Sequence, residues 1–200
     1  MMRARSRGVS LVEVMVVLAL LAIMLMAVAP NVSTWIRNTQ IRNVATGMVN
    51  GLQRARSEAM RRNENVRFSL VSLTDPAVMD GSCQTSGGGA SWVVSLDDPS
   101  DKCDVEVSDS TAPRILDKQA AGSGGARVTV KALSAANEEA PDVVFNGFGR
   151  AANAGDIATI SVVSSTSDDD SRPLRIVVGT GGTVRMCDPK VTSSGDPRGC

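Results

Sequence analysis

The sequence predicts an α+β fold in which a long N-terminal helix packs on an antiparallel β-sheet domain. An unbroken apolar stretch covers residues 14–29, and after Pro30 the apolar residues recur at steps of three and four, which is helical periodicity. From Val66 onward the period falls to two and β-branched residues dominate. Short strands without intervening helices favour antiparallel pairing, with the helix covering one face of the sheet.

The composition argues against catalysis. The chain of 200 residues contains no histidine, so the commonest general base and the commonest metal ligand are both absent. We find no nucleophile elbow, no paired catalytic motif and no cofactor fingerprint. We therefore expect a non-enzymatic protein of one domain plus an appendage, with no catalytic residues, no metal site and no cofactor.

The N-terminal apolar segment allows three interpretations. A secretory signal peptide would need cleavage after Ala29, but Pro30 follows directly and Glu13 stands at the front of the apolar region. A plain membrane anchor fits better, because residues 9–29 are about long enough to cross ~30 Å of hydrocarbon. The basic residues before Gly8 would then keep the N-terminus in the cytoplasm. This second interpretation leaves an intramembrane carboxylate unexplained.

The third interpretation explains Glu13. The string Gly8-Val9-Ser10-Leu11-Val12-Glu13 closely resembles the class III leader of type IV prepilins, although Val9 stands where Phe or Met is usual. The resemblance implies that prepilin peptidase cuts between Gly8 and Val9 and methylates the new amine of Val9. When subunits stack, that charged amine lies in an apolar filament core, and Glu13 of a neighbouring subunit can supply its counter-charge.

These patterns give the expected organisation of the chain. Residues 1–8 are the leader peptide, and residues 9–63 form the helix, transmembrane over 9–29 and amphipathic over 31–63. Residues 64–200 form a periplasmic β-rich domain. The predicted strands are Val66–Leu73, Ser91–Leu96, Ala126–Leu133, Asp142–Phe145, Ile157–Val163, Leu174–Val178 and Thr183–Met186.

Three further sequence features narrow the family that the chain resembles. They are Leu52–Ala59 late in the helix, Trp92–Val94 at the start of a strand, and Val144–Gly149. With these features the chain resembles the GspH/FimT/FimU group, which comprises minor pseudopilins of type II secretion and minor pilins of type IV pili. The tail from Arg185 to Cys200 is more pilus-like than secretion-like, but the sequence leaves the choice between pilus and protein secretion open.

The resemblance implies a type IV pilin-like fold and a structural role. Such a subunit helps to initiate or cap the assembly of a type IV pilus or a type II secretion pseudopilus. The implied partners are prepilin peptidase, other minor pilins or pseudopilins, the major subunit and the inner membrane. The precursor would be a single-pass protein of the cell inner membrane, with a cytoplasmic N-terminus and a periplasmic C-terminal domain, before it enters the filament.

The four cysteines indicate disulfide bonds in an oxidising compartment, because none lies in a Cys-x-x-Cys pair. Proximity in sequence favours Cys83–Cys103 and Cys187–Cys200, and the other pairings stay open. A bond from Cys187 to Cys200 would close the C-terminal tail into a loop. That loop could present a surface to the next subunit or could serve stability alone.

DNA binding is the alternative function. Some members of the FimT group serve DNA uptake and carry a Gly-Arg-x-Arg motif, of which Gly182-Thr183-Val184-Arg185 keeps only the second arginine. Arg198, together with Arg172 and Arg175, could compensate. The region after Phe68 is net acidic and has few aromatic residues to stack on bases. Nucleic acid is therefore a possible partner that the sequence does not favour.

Two other patterns have simpler interpretations than ligand sites. The run Gly179–Gly182 lacks the following helix and Lys-Ser/Thr of a phosphate-binding loop, so we expect a hairpin turn. The aspartates at 97–104 and 168–170 lack the spacing of a known calcium loop and are expected to be solvated.

Overall fold

The structure is a computed structural model that describes residues 9–122, 124–166, 170–193 and 195–200, with the side chains of residues 27–31 left undescribed. The predicted leader, including Gly8, lies outside these residues. Helix α1 runs from Leu11 to Arg62, and a short 3-10 turn covers Gly125–Arg127. The strands are β1 Val66–Ser72, β2 Gln84–Thr85, β3 Ser91–Ser95, β4 Ile115–Gln119, β5 Val128–Leu133, β6 Asp142–Phe145, β7 Thr159–Ser164, β8 Leu174–Val178 and β9 Val184–Cys187.

The chain divides into two compact units, Met1–Ile36 and Arg37–Cys200. The first contains the N-terminal part of α1, whose described apolar side chains are exposed. Within the described residues, no helix is both long enough and apolar enough to cross a membrane. The transmembrane role expected for residues 9–29 stays a prediction.

The second unit, here called the globular unit, is organised around the remainder of α1. The predicted helical stripe is buried, because it faces the sheets at steps of three and four residues. Gly51 lets the helix approach the sheet closely, since a Cβ there would lie 2.8 Å from the rings of Phe68 and Trp92. Those two rings contact each other with centroids 5.9 Å apart. The buried stripe consists of Ile41, Val44, Ala45, Met48, Leu52, Ala55 and Ala59.

The strands form two antiparallel sheets. In the first, the order is β2-β1-β3-β4, and β6 also pairs with β1, so that Phe68 lies opposite both Val94 and Val143. In the second, the order is β5-β7-β8-β9. Antiparallel pairing is confirmed, but no local pattern indicates the division into two sheets. The prediction also omits the short strands β2 and β4.

Most of the core is one cluster. Inward-facing residues from both sheets pack with the helical stripe, and Phe68, Phe145 and Ile176 are fully buried. A smaller cluster surrounds the bond between Cys83 and Cys103. The globular unit is thus held by helix-on-sheet packing at its centre and by a disulfide beside it.

Candidate assembly sites

The predicted amine and carboxylate lie near the start of α1. Val9 precedes the helix and is 73% exposed, and Glu13 lies exposed in the first helical turn. The amide of Val14 donates to the carbonyl oxygen of Ser10 at 3.2 Å. A carboxylate in the first turn interacts favourably with the positive end of the helix dipole. Both side chains are therefore accessible to another molecule.

A continuous apolar surface surrounds Glu13, and we call residues 9–26 the N-terminal apolar surface. Soluble monomers rarely expose contiguous apolar patches larger than a few hundred Å². A surface of this kind is stable only against another apolar phase, such as lipid or other helices. Its exposed apolar side chains are Val9, Leu11, Val12, Val14, Met15, Val16, Val17, Leu18, Leu20, Leu21, Ile23, Met24, Leu25 and Met26.

Near the C-terminal end of α1, three arginines surround one buried carboxylate. Glu58 is 3% exposed, and its Oε2 lies 2.5 Å from Nη2 of Arg61 and 3.0 Å from Nε of Arg62. Its Oε1 lies 3.2 Å from Nη2 of Arg54. Arg62 also reaches Asp109, at 3.4 Å, and so ties the helix to the segment between β3 and β4. Glu58 and Arg62 thus form an i,i+4 ion pair, a spacing that stabilises a helix.

Opposing effects set the pKa of Glu58. Burial acts to raise it, but hydrogen bonds from Arg61 and Arg62 and the charges of Arg54 and Arg61 together outweigh burial. The net result is that the pKa of Glu58 lies below its ordinary value. The hydrogen bond to Glu58 is also the main reason that the pKa of Arg62 is raised. The cluster is therefore a charged group of ion pairs at neutral pH.

A tight turn after β6 presents an aromatic side chain. The amide of Gly149 donates to the carbonyl oxygen of Asn146 at 2.7 Å, which closes the turn. Oδ1 of Asn146 accepts from the amide of Phe148 at 3.0 Å and from that of Arg150 at 3.2 Å. This side-chain capping fixes the backbone of the turn. At its tip, Phe148 is 82% exposed.

The same turn is anchored to two other elements. Nε of Arg56, on α1, donates to the carbonyl oxygen of Gly149 at 3.0 Å. Gly149 and Gly182 have φ values of 71° and 77°, which favour glycine. A Cβ on Gly182 would overlap the carbonyl oxygen of Gly149, so the β8–β9 turn packs directly on the turn after β6. Two of the features that carry the family resemblance, Leu52–Ala59 and Val144–Gly149, thus meet here.

Both predicted disulfide bonds are present. Cys83 is bonded to Cys103 and Cys187 to Cys200, with Cα–Cα distances of 6.0 and 5.1 Å. Cys83 and Cys103 are fully buried. Nζ of Lys118 donates to the carbonyl oxygens of Cys103 at 2.6 Å and of Val105 at 2.8 Å, which holds the segment that follows the bond.

The candidate DNA-binding arginines contact the C-terminal tail. Arg185 donates to the carbonyl oxygens of Gly199 at 3.2 Å and Cys200 at 3.4 Å. Arg198 pairs with Asp196 at 2.6 Å, and its side-chain hydrogen bond is the main reason that the pKa of Asp196 is lowered to about 2. One cation therefore holds the tail and the other is neutralised by a carboxylate.

Two aspartates of the 97–104 pattern have local partners, whereas Asp168 and Asp169 lie outside the described residues. Asp97 accepts from Arg114 at 2.6 and 2.8 Å, and Oδ1 of Asp98 accepts from the amide of Ser100 at 3.0 Å. In the part of the chain that the structure describes, no three histidine, cysteine or acidic side chains are grouped to hold a metal ion. The amide of Gly182 donates to the carbonyl oxygen of Gly179 at 2.7 Å, which confirms the predicted turn.

Sequence reasoning assigned no role to the anchored turn or to its exposed aromatic. A signal was present, because Phe148 stands between two glycines in a chain with only 3 phenylalanines and 2 tryptophans. Phe68 and Phe145 have no glycine neighbours, stand in predicted strands and are buried. The exposure of Phe148 follows from the turn, which the sequence pattern did not specify.

Together, the long helix and the antiparallel sheets form a pilin-like fold, and the N-terminal sequence carries the Gly8–Glu13 string. A family model described as the prokaryotic N-terminal methylation motif matches residues 3–29. The model described as type II transport protein GspH matches residues 44–192, which is most of the chain. The chain belongs to the GspH family. The resemblance drawn from the sequence is thereby confirmed.

Two crystal structures of the type IV minor pilin FimU of Pseudomonas aeruginosa (strain PAO1) are similar to this chain. One has 14% identity and a TM-score of 0.44, and covers 76% of this chain and 99% of the FimU chain. The other has 15% identity and a TM-score of 0.45, with 78% and 96% covered. Among curated proteins, none matches this chain.

Proposed function

We propose that this chain is a minor pilin or pseudopilin, a structural subunit that helps to initiate or cap a type IV pilus or a type II secretion pseudopilus. The observation that carries the proposal is the N-terminal apolar surface with Glu13 in its first turn. Membership of the GspH family and the methylation motif support it. The role is structural, so it depends on surfaces and not on an active site.

The chemistry of assembly follows from charge in an apolar environment. Cleavage by prepilin peptidase between Gly8 and Val9 would free the amine of Val9, and transfer of a methyl group to that amine from a methyl donor would leave it positively charged next to the N-terminal apolar surface. An unpaired charge buried among apolar helices costs several kcal/mol, which a carboxylate with good geometry offsets. Glu13 of a neighbouring subunit provides that carboxylate. The pair then fixes the position of one subunit against the next.

Before assembly, the same surface would lie in the inner membrane. Arg3, Arg5 and Arg7 would hold the N-terminus in the cytoplasm by the positive-inside rule. The domain of residues 64–200 would then lie in the periplasm, where disulfide bonds persist. The two disulfide bonds of the globular unit support this placement.

The test is Glu13→Ala in the full-length chain, produced in cells with its partner subunits. We expect the variant to be cleaved normally, since the cleavage site is unchanged. Its incorporation into the sheared filament fraction should fall about tenfold or more, because breaking a buried charge pair costs about 3–5 kcal/mol. Glu138→Ala, in an exposed residue between β5 and β6, is the matched control and should assemble normally.

Intact-mass measurement completes this test. Wild type and both variants should give a mature chain that begins at methylated Val9. Normal assembly of Glu13→Ala would refute the charge pair. An uncut chain, or one that begins at Pro30, would refute the proposed class of protein.

A further inference from the structure

The end of the globular unit where α1 ends carries an exposed apolar group outside the N-terminal apolar surface. Phe148, 82% exposed, is the most exposed of the large apolar side chains described. Met60, 47% exposed, lies against the same turn. Its Sδ would lie 2.8 Å from a Cβ added to Gly149. We call Phe148, Met60, Arg56 and Arg150 the Phe148 surface.

The exposure of Phe148 is built into the fold. The turn that carries it is capped by Asn146, bonded by Arg56 and packed on Gly182. An aromatic on such a fixed turn loses little conformational entropy when a partner covers it. Exposed aromatic and arginine side chains grouped in this way are typical of the residues that dominate binding energy at interfaces.

The charges at this end of the unit specify the partner's chemistry. Five arginines lie at this end, four on the last turns of α1 and one beside the turn after β6, at positions 54, 56, 61, 62 and 150. The carboxylates at the same end are three, those of Glu58, Glu64 and Asp109. Among the described residues, neither Arg56 nor Arg150 forms an ion pair. A complementary surface therefore combines an apolar pocket with carboxylates at its rim.

We propose that the Phe148 surface is a docking site for a different filament subunit, one that offers an apolar pocket rimmed by carboxylates. The inference rests on the proposed function, which supplies the class of partner. Among the described residues, a pocket beside Trp92 that is lined by Asn43, Gly47 and Gln119 among others has no carboxylate in its lining, so this pocket does not offer the required rim to a second copy of the chain. Three of the five arginines at this end already contact Glu58, which leaves few cations for the phosphates of a nucleic acid.

Site-specific cross-linking in cells tests the proposal directly. A photoreactive phenylalanine derivative replaces Phe148 in the full-length chain, and the cross-linked peptide is identified by mass spectrometry. We expect a bond to a different pilin-like subunit. The control position is Val78, which is 50% exposed in the segment after β1, and it should not give this product. A cross-link to a second copy or to nucleic acid, or no cross-link, would overturn the proposal.

Substitutions provide the second arm. Phe148→Ala should reduce co-purification of the cross-linked subunit about tenfold or more, whereas Val78→Ala should not. Arg150→Glu should also weaken the complex, and a carboxylate-to-lysine change in the partner at the cross-linked site should restore it. Unchanged co-purification with Phe148→Ala would refute the site even where a cross-link forms.

Two measurements separate this inference from the proposed function. The melting temperature of Phe148→Ala should equal that of the wild type, because the side chain is outside the core. If Glu13→Ala blocks assembly while the Phe148 and Arg150 variants bind every subunit normally, the docking site is wrong and the proposed function stands. If Glu13→Ala assembles normally, the proposed charge pair fails, whatever the cross-link shows.

Discussion

At the residue scale, the Glu58 cluster stabilises the junction of α1 with the segment that contains Asp109. A carboxylate that is 3% exposed would destabilise the fold if it had no partner. Here it accepts hydrogen bonds from Arg61 and Arg62 and lies 3.2 Å from Nη2 of Arg54. Arg61 and Arg62 also lie in the last turn of α1, at the negative end of the helix dipole. The carboxylate and the helix end therefore stabilise each other.

We expect Glu58→Gln to lower the free energy of unfolding by about 1–3 kcal/mol, since hydrogen bonds to charged groups contribute about that much. The lower half of the range applies if solvent screens the exposed arginines. Thermal unfolding of the full-length protein in detergent measures the change. Glu64→Gln, in an exposed glutamate, should leave the melting temperature nearly unchanged. Equal effects of the two substitutions would contradict the assignment.

The difference in stability between wild type and Glu58→Gln should depend on pH, and the pKa of Glu58 sets its sign. Because the pKa of Glu58 is lowered in the folded state, its contribution is present above the ordinary value of 4.5. That contribution is lost as the pH falls through the folded value. The difference in melting temperature between wild type and Glu58→Gln should therefore be largest near neutral pH and should shrink below pH 4.5.

Two adjacent glycines allow a matched test of the anchored turn. Gly182 has a φ of 77° and packs on the Gly149 carbonyl, whereas a Cβ on Gly181 would meet open space. Gly182→Ala should destabilise the protein by about 1–3 kcal/mol through backbone strain and overlap. Gly181→Ala should change the stability by less than about 0.5 kcal/mol. Chemical denaturation of both variants measures the contrast, and similar midpoints would refute the packing of the two turns.

At the element scale, the two disulfide bonds have different surroundings. Cys83–Cys103 lies in the smaller apolar cluster with Val71, Val93 and Ile115. Cys187–Cys200 closes a tail that begins after β9 and ends at an exposed residue. The first bond therefore combines chain constraint with core packing. The second constrains a surface loop that Arg185 also holds.

We expect removal of the tail bond by Cys187→Ser and Cys200→Ser to cost about 3 kcal/mol or less, with cooperative unfolding retained. Removal of Cys83–Cys103 by paired alanine substitutions should cost more, because it also leaves space in a buried cluster. Calorimetry of the two double variants gives the order. A tail variant that fails to fold would show that the loop supports the strands themselves.

The local sequence pattern predicts those helices and strands whose apolar residues recur with a regular period. The helical stripe from Ile41 to Ala59 and the β-branched strands were predicted with ends close to those observed. Strand β4 was missed because Asp117, Lys118 and Gln119 follow only two apolar residues. Strand order and the division into two sheets depend on contacts distant in sequence, which local pattern does not specify.

For the candidate sites too, features that depend on nearby residues could be predicted from the sequence, whereas features that depend on distant contacts could not. The Gly8–Glu13 string and the cysteine spacing are local in sequence, and they predict the processing motif and the two disulfide bonds. The contact of Arg185 with the carbonyl oxygens of Gly199 and Cys200 requires the tail to return to β9. The exposure of Phe148 likewise depends on the meeting of Arg56, Gly149 and Gly182.

At the scale of the whole molecule, the formal net charge of +0 conceals an uneven distribution. Arginines are concentrated on α1, whereas the region after Phe68 carries most of the acidic residues. On α1, Arg54, Arg61 and Arg62 contact one buried glutamate. The contacts of these cations are therefore mainly within the protein, which favours specific subunit contacts over general attraction to a polyanion.

DNA binding tests this view of the charge distribution. A protein that binds DNA through its phosphates needs several cations gathered on one surface, and its affinity for DNA falls steeply as the salt concentration rises. Arg185 donates hydrogen bonds to the C-terminal tail, and Arg198 forms an ion pair with Asp196. Both guanidinium groups would therefore have to leave these partners to bind DNA phosphates. We expect the full-length protein in detergent to bind duplex DNA no more tightly than nonspecific proteins, about 10⁻⁴–10⁻⁶ M at physiological salt. Fluorescence anisotropy at two salt concentrations measures this affinity, with Arg127→Ala as the control. Tight binding that Arg185→Ala abolishes and the control leaves intact would make DNA uptake the primary function.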